Sequence, residues 1–348
     1  LSTDLTTGYV KNLATEVSSG ANIDMYIDTS AGVTINGQSA VVTADIDTDN
    51  GVIHAVDQVI ALPTIVTFAT TNPALTSLVG ALTAGGNTTF TDLLSDTTQD
   101  FTVFAPTNDA FTGFANPDGN DINQVLSNHV IVGAVAVSNA LANSYVNTAA
   151  VFNGEADAPL SLYVNTDSGV TLNGTSNVII ADVVAVNGVV HVVDTVIDLP
   201  NVTTFATADP TFSTLVAALT ADPSFGYVAA LQTANGTAPA PFTVFAPTNA
   251  AFDDLLTDLG VTGLGDIAVP TLAATLELHV VPNANVRAED LAGIDGANVT
   301  TLGGGEITID AATPAIIDPD GGSNEIIVTN VQAANGVIHA ISRVIRDL

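Results

Sequence analysis

Asn187-Gly188-Val189-Val190-His191 recurs along the chain as Asn50-Gly51-Val52-Ile53-His54 and as Asn335-Gly336-Val337-Ile338-His339. A second phrase, Phe-Thr-Val-Phe-Ala-Pro-Thr-Asn, stands only at Phe101–Asn108 and Phe242–Asn249. Repeats this far apart are domains, not the short stacked units of a solenoid. Three closing phrases against two opening phrases divide the chain into 1–62, the back half of a repeat, and two whole repeats, 63–199 and 200–348.

Asn-Gly between two β-rich runs predicts a hairpin with both turn residues at φ > 0. The apolar runs that follow, Val52–Val56, Val189–Val193 and Val337–Ile341, read as central strands buried on both faces. Phe101–Ala105 and Phe242–Ala246 are also read as buried strands. Pro106 and Pro247 stop them, and Thr107 and Thr248 are placed to cap the next helix. Asn72-Pro73 and Asp209-Pro210 each supply a helix cap and a proline at the first helical position. Leu75, Leu78, Val79 and Leu82, like Phe212, Leu215, Val216 and Leu219, then form one apolar helical stripe. Asn36-Gly37 and Asn173-Gly174 mark a further hairpin. In the longer third repeat, Ala311–Asn324 replaces it and is expected to hold the additional residues.

In their order and spacing the two phrases resemble the signature motifs of the fasciclin-like domain family, and the resemblance covers the whole chain. It implies an α+β fold: tandem fasciclin-like domains, each a β-sandwich-like wedge with several helices packed on it. It also implies a non-enzymatic extracellular role in adhesion or matrix contact. The passage Gly236–Asn249 resembles secreted fasciclin proteins of marine Bacteroidetes. The family's central motif is usually Tyr-His, whereas Asn128 and Leu278 precede the histidines here, a departure that argues against integrin-type recognition.

Against 36 acidic residues stand four Lys and Arg, a formal charge of −32, which excludes nucleic acid and anionic membrane surfaces as partners. Only 11% of residues are charged while 47% are hydrophobic, so the chain has material for a core in each whole repeat and is no disordered acidic tail. A lysine-poor acidic surface fits a secreted protein in salty water, where ions screen its self-repulsion. Without cysteine, disulfides, thiolate metal sites and a cysteine nucleophile are excluded. No apolar run reaches the length of a membrane span, His129–Ala142 being too short.

Catalytic patterns are missing. No Gly-x-Ser-x-Gly elbow and no His-Glu-x-x-His helix occurs, and Lys11 is the sole lysine, which removes phosphate-loop and Schiff-base chemistry. Gly303-Gly304-Gly305 lacks the dinucleotide spacing and is read as a turn. The histidines fall at repeated positions, His54, His191 and His339 in the closing strands and His129 and His279 mid-repeat. They are expected to be buried and satisfied by backbone groups. Asp45, Asp47 and Asp49 alternate along one strand and are the candidate calcium ligands, with Asp318-Pro319-Asp320 a weaker acidic turn. Asn87, Asn173, Asn201, Asn235 and Asn298 begin glycosylation sequons, with Asn87 and Asn235 expected in loops.

The sequence thus reads as a secreted or cell-surface contact protein. Its expected partners are extracellular polysaccharide, a surface protein or a second copy. A structural subunit of an extracellular filament or sheath is the alternative. The proline junctions Leu62-Pro63 and Leu199-Pro200 predict a stiff array. Because the first repeat starts half-way, its front half is expected ahead of Leu1 in the full-length protein, or from a neighbouring chain.

Overall fold

The structure, a computed structural model, describes residues 1–86 and 88–347. The chain is mixed α+β, with β-sheets carrying packed helices, and contains the same design repeated.

Residues 1–62 form one antiparallel sheet of β1 (Gly8–Thr15), β2 (Asn22–Asp28), β3 (Thr34–Ile35), β4 (Ser39–Thr48) and β5 (Gly51–Val56), in that order. The second repeat contains α1 (Ile65–Thr71), α2 (Thr76–Leu82), α3 (Thr89–Ser95), β6 (Phe101–Pro106), α4 (Asn108–Gly113), α5 (Ile122–Ser127), β7 (Val130–Val132), β8 (Ser144–Val151), β9 (Pro159–Asn165), β10 (Thr171–Leu172), β11 (Ser176–Ala185) and β12 (Gly188–Val193). In the third repeat follow α6 (Val202–Ala208), α7 (Ser213–Leu219), α8 (Tyr227–Leu231), β13 (Phe242–Pro247), α9 (Asn249–Leu259), α10 (Val269–Leu278), β14 (Val280–Pro282), β15 (Asn298–Thr300), β16 (Glu306–Asp310), β17 (Ala315–Ile317), β18 (Ser323–Ala333) and β19 (Gly336–Ile341).

Two compact units contain these elements. One comprises residues 1–143 and 166–198, the other 144–165 and 199–348. In the first unit β2 packs on β11, and in the second the β8–β9 hairpin packs on β18. The hairpin that opens the back half of a repeat, β1–β2 or β8–β9, therefore belongs, by packing, with the repeat that follows it.

The phrase Phe-Thr-Val-Phe-Ala-Pro becomes β6 and β13, buried at every residue because each strand is flanked on both sides. β6 runs parallel to β12, Phe104 opposite His191, and antiparallel to β7. β13 has the same relation to β19 and β14. Parallel pairs lie where both faces are covered, which is why these runs are apolar throughout. Thr107 and Thr248 cap α4 and α9 through the Ala110 and Ala251 N–H groups. Asn72 and Asp209 cap the proline-led turns, and the apolar positions Leu75, Leu78 and Leu82 point inward with Phe212 and Leu215. Asn36-Gly37 and Asn173-Gly174 make their hairpins with every φ positive.

Three expectations from the sequence are corrected. The closing Asn-Gly pairs are not turns with two positive φ values. Ala185 pairs with Gly188 and Ala333 with Gly336, so the turn residues are Val186-Asn187 and Ala334-Asn335, and each glycine already lies in the strand. Its role is close approach: a Cβ on Gly188 would sit 2.1 Å from the Phe101 carbonyl oxygen, and one on Gly336 2.2 Å from that of Phe242. Secondly, β5 is not buried on both faces, since no strand corresponding to β6 lies beside it, and His54 is only half-buried. Thirdly, the additional residues of the third repeat do not sit in 311–324. Most of them lengthen α9 and α10 relative to α4 and α5 and the rest lie ahead of Phe242, whereas the segment between the two histidines is slightly shorter at 279–339 than at 129–191.

Candidate functional site

Every buried histidine is committed to backbone. At the end of α5, His129 donates from Nδ1 to the Val125 carbonyl at 2.7 Å, and its Nε2 accepts from the Ile197 N–H at 2.9 Å. His279 repeats this with Thr275 at 2.7 Å and Ile345 at 3.0 Å. Each ring staples a helix end to the segment after the closing strand. Burial in apolar surroundings pushes both imidazoles down to about 4, so they are neutral near pH 7. His191 donates from Nε2 to the Ala136 carbonyl at 2.9 Å, accepts the Asp182 N–H at Nδ1, and stacks on Phe104 at 5.6 Å. His339 donates to the Val286 carbonyl at 2.9 Å and stacks on Phe245 at 5.7 Å, while its Nδ1 has no partner among the described residues. Burial lowers both pKa values. None of the four faces solvent in a way that general base catalysis needs.

Asn187 and Asn335 are clamps, a role missed when Asn-Gly is read only as a turn. The Asn187 Oδ1 accepts from the Ile65 N–H at the start of α1, and its Nδ2 donates to the carbonyls of Leu94 and Asp96 at 2.8 and 3.1 Å. Asn335 does the same with Val202, Leu231 and Thr233. Each ties one closing turn to two separate helices.

The repeats are joined alike in each unit. In the first, Asn72 donates to the Tyr9 hydroxyl at 2.9 Å, and within the second repeat itself the Val186 N–H donates to the Pro63 carbonyl at 2.9 Å. Tyr9 packs edge-on against Phe68, and burial raises its hydroxyl to about 12. In the second, Tyr145 donates to Asp209 at 2.8 Å and packs edge-on against Phe205, and within the third repeat itself the Ala334 N–H donates to the Pro200 carbonyl at 2.7 Å. Burial, then the Asp209 carboxylate, raises the Tyr145 pKa. One polar contact differs. Asp24, almost fully buried, accepts from the Lys11 ammonium and from the Val184 N–H, each at 2.6 Å, and Lys11 also reaches the Asp182 carbonyl. The corresponding strand pair in the second unit is Asn147 opposite Ser161, whose Oγ accepts from the Gln332 N–H at 3.0 Å. That the only lysine lies opposite an aspartate on the neighbouring strand was the available signal for this contact.

The candidate calcium ligands are placed as follows. Asp45 sits on a β-bulge with φ 59°, and its carboxylate accepts from the Ser2 N–H and Oγ, both at 2.6 Å. Those bonds hold its carboxyl below the usual range. The bulge breaks the alternation that would align it with Asp47 and Asp49. Asp182 occupies the same bulge in β11, hydrogen-bonded to Ser138. Asp318 closes its own turn on the Gly322 N–H. Among the described residues no group of three His, Asp or Glu side chains is positioned to hold a metal ion. Of the sequons, Asn173 is buried, Asn201 caps α6 through the Thr204 N–H, Asn235 is half-buried, Asn298 is exposed, and Asn87 lies outside the described residues.

Residues 1–63, 73–200 and 210–347 each match the Fasciclin domain. The chain belongs to the fasciclin domain family. It is 29% identical over 194 residues to the fasciclin-like arabinogalactan protein of Arthroderma benhamiae, covering 54% of this chain and 43% of that protein. It is 30% identical over 255 residues to periostin of Homo sapiens, covering 70% of this chain and 28% of periostin. The chain thus spans less than half the length of these two relatives. A solved fasciclin domain pair from the insect cell adhesion molecule Fasciclin I matches with a TM-score of 0.50 and 21% identity, over 79% of this chain and 97% of that one, a likeness of fold. Among the described residues no single helix is long and apolar enough to cross a membrane.

Proposed function

We propose that this fasciclin chain is a non-enzymatic, secreted or cell-surface contact protein whose outer faces hold extracellular polysaccharide or a surface protein. The observation that carries the reading is the joint between repeats. Each unit builds it around a hairpin tyrosine that packs edge-on against a helix phenylalanine and hydrogen-bonds the cap of the next turn, Tyr9 with Phe68 and Asn72, Tyr145 with Phe205 and Asp209. The commitment of the buried histidines to backbone groups supports a role without turnover, and the acidic, lysine-poor surface with the likeness of 236–249 supports a source in salt water. A glycan array followed by an assay for released reducing ends tests this. Retention without release is expected, and cleavage of a bound glycan contradicts it. A second reading, an extracellular filament subunit, would show as ordered assemblies in electron micrographs of the purified protein.

Calcium at Asp45, Asp47 and Asp49 is a proposal resting on the acidic sequence. Its test is a thermal melt in millimolar calcium. A stabilising shift that disappears in the Asp47→Asn, Asp49→Asn variant supports it, and no shift removes it.

A further inference from the structure

We propose that Asn235-Gly236 is a self-modifying site, at which water converts the Asn235 side chain to aspartate and isoaspartate through a ring closed by the Gly236 nitrogen. The Asn-Gly step occurs at Asn36, Asn50, Asn153, Asn173, Asn187, Asn235 and Asn335, and the fold allows each a different freedom. Asn187 and Asn335 have both side-chain polar atoms tied to helices or the segments after them. Asn36 is buried with its Oδ1 on the Tyr26 N–H, and Asn173 is buried as well. Asn50, Asn153 and Asn235 are the steps left within reach of solvent.

Geometry singles out one of the three. The Gly236 N–H donates to the Asn235 Oδ1 at 2.9 Å, which lays the attacking nitrogen against the amide it must attack. Holding reacting groups together in this way is what makes an intramolecular attack fast. Gly236 has φ 87° and nothing within 4 Å of a would-be Cβ, so the approach is unobstructed. The departing Nδ2 has only a long bond to lose, 3.4 Å to the Asn153 Oδ1. At Asn153 the Oδ1 is engaged by that bond, and at Asn50 by the Thr48 hydroxyl. In the first step the Gly236 nitrogen gives its proton to water and bonds to the Asn235 Cγ, while the amide nitrogen takes a proton and leaves as ammonia. In the second, one water reopens the succinimide at either carbonyl, giving aspartate or isoaspartate. Water is the sole co-reactant and nothing is oxidised. The product has lost the donor of the contact between the loop before β13 and the β8–β9 turn. A glycan on Nδ2 would block the loss of ammonia, so conversion and glycosylation of this sequon exclude each other.

The test incubates the 1–348 chain at pH 8 in water enriched in heavy oxygen, then maps its peptides by mass spectrometry and separates isoaspartate from aspartate by chromatography. Residue 235 should take up heavy oxygen first, ahead of 50 and 153. It should lead 187 and 335 by on the order of tenfold or more, because their clamps must open before they react. In urea, where the fold no longer selects, all the Asn-Gly steps should convert at similar rates. Asn235→Gln keeps the amide but moves it one carbon further from the Gly236 nitrogen, and should leave position 235 unconverted. Conversion of folded 187 or 335 as fast as 235 overturns the proposal. So does a rate at 235 no greater than at 50 and 153, or equal conversion of the Asn235→Gln chain at that position.

Discussion

At the scale of the residue, acid is the condition that reports most directly on the buried histidines. His129 and His279 have folded pKa values near 4 against 6.5 in a model peptide, so the folded state binds fewer protons than the unfolded state as pH falls. The stability each contributes is complete above about pH 6.5 and is lost on the way down to about 4, on the order of 3 kcal/mol for each ring. Chemical denaturation at pH 7 and at pH 5 should therefore show a marked drop before the carboxylates titrate. A flat profile in that window contradicts the assignment. Within the closing strands, His191→Ala strands the Ala136 carbonyl and the Asp182 N–H and should cost about 1–3 kcal/mol. His54→Ala, at a half-buried position, should cost far less. Equal losses from the two variants would show that the covering strand does not decide the role of this residue.

At the scale of the element, the closing turn is where sequence and structure differ most usefully. The strands Phe101–Pro106 and Phe242–Pro247 and the Asn72, Thr107, Asp209 and Thr248 caps were legible, because each depends on a local rule of sterics or hydrogen bonding. The role of Asn187 was not, because its partners at Ile65, Leu94 and Asp96 lie far away in the chain, and Asn-Gly satisfies a local turn rule equally well. The exposure of β5 was missed for a related reason: an apolar run specifies burial but not what buries it. Asn187→Ala should lose three hydrogen bonds and about 2–4 kcal/mol, measured by urea titration, with Asn50→Ala nearly neutral. A comparable loss from both would mean that Asn50 is clamped after all. The lengthened α9 and α10 escaped because helix length was set there by residues lying between the recognised phrases.

At the scale of the whole molecule, what distinguishes the first joint is a buried carboxylate with the only lysine of the chain upon it. Removing Lys11 alone leaves Asp24 with a single donor at a nearly buried site. Lys11→Asn should cost about 2 kcal/mol, below the figure for a fully buried pair because Lys11 is half exposed. Lys11→Asn combined with Asp24→Ser copies the Asn147–Ser161 pair of the other joint and should recover most of that loss; a double variant weaker than either single one would contradict the equivalence of the joints. The wider claim is that one closing phrase has two fates, decided by whether a Phe-Thr-Val-Phe strand lies beside it. Hydrogen exchange of the 1–348 chain, followed at all three closing strands, tests this most directly. Amides of 188–193 and 336–341 should exchange only through global opening, and those of 51–56 well before them. Equal protection of the three segments would contradict the account.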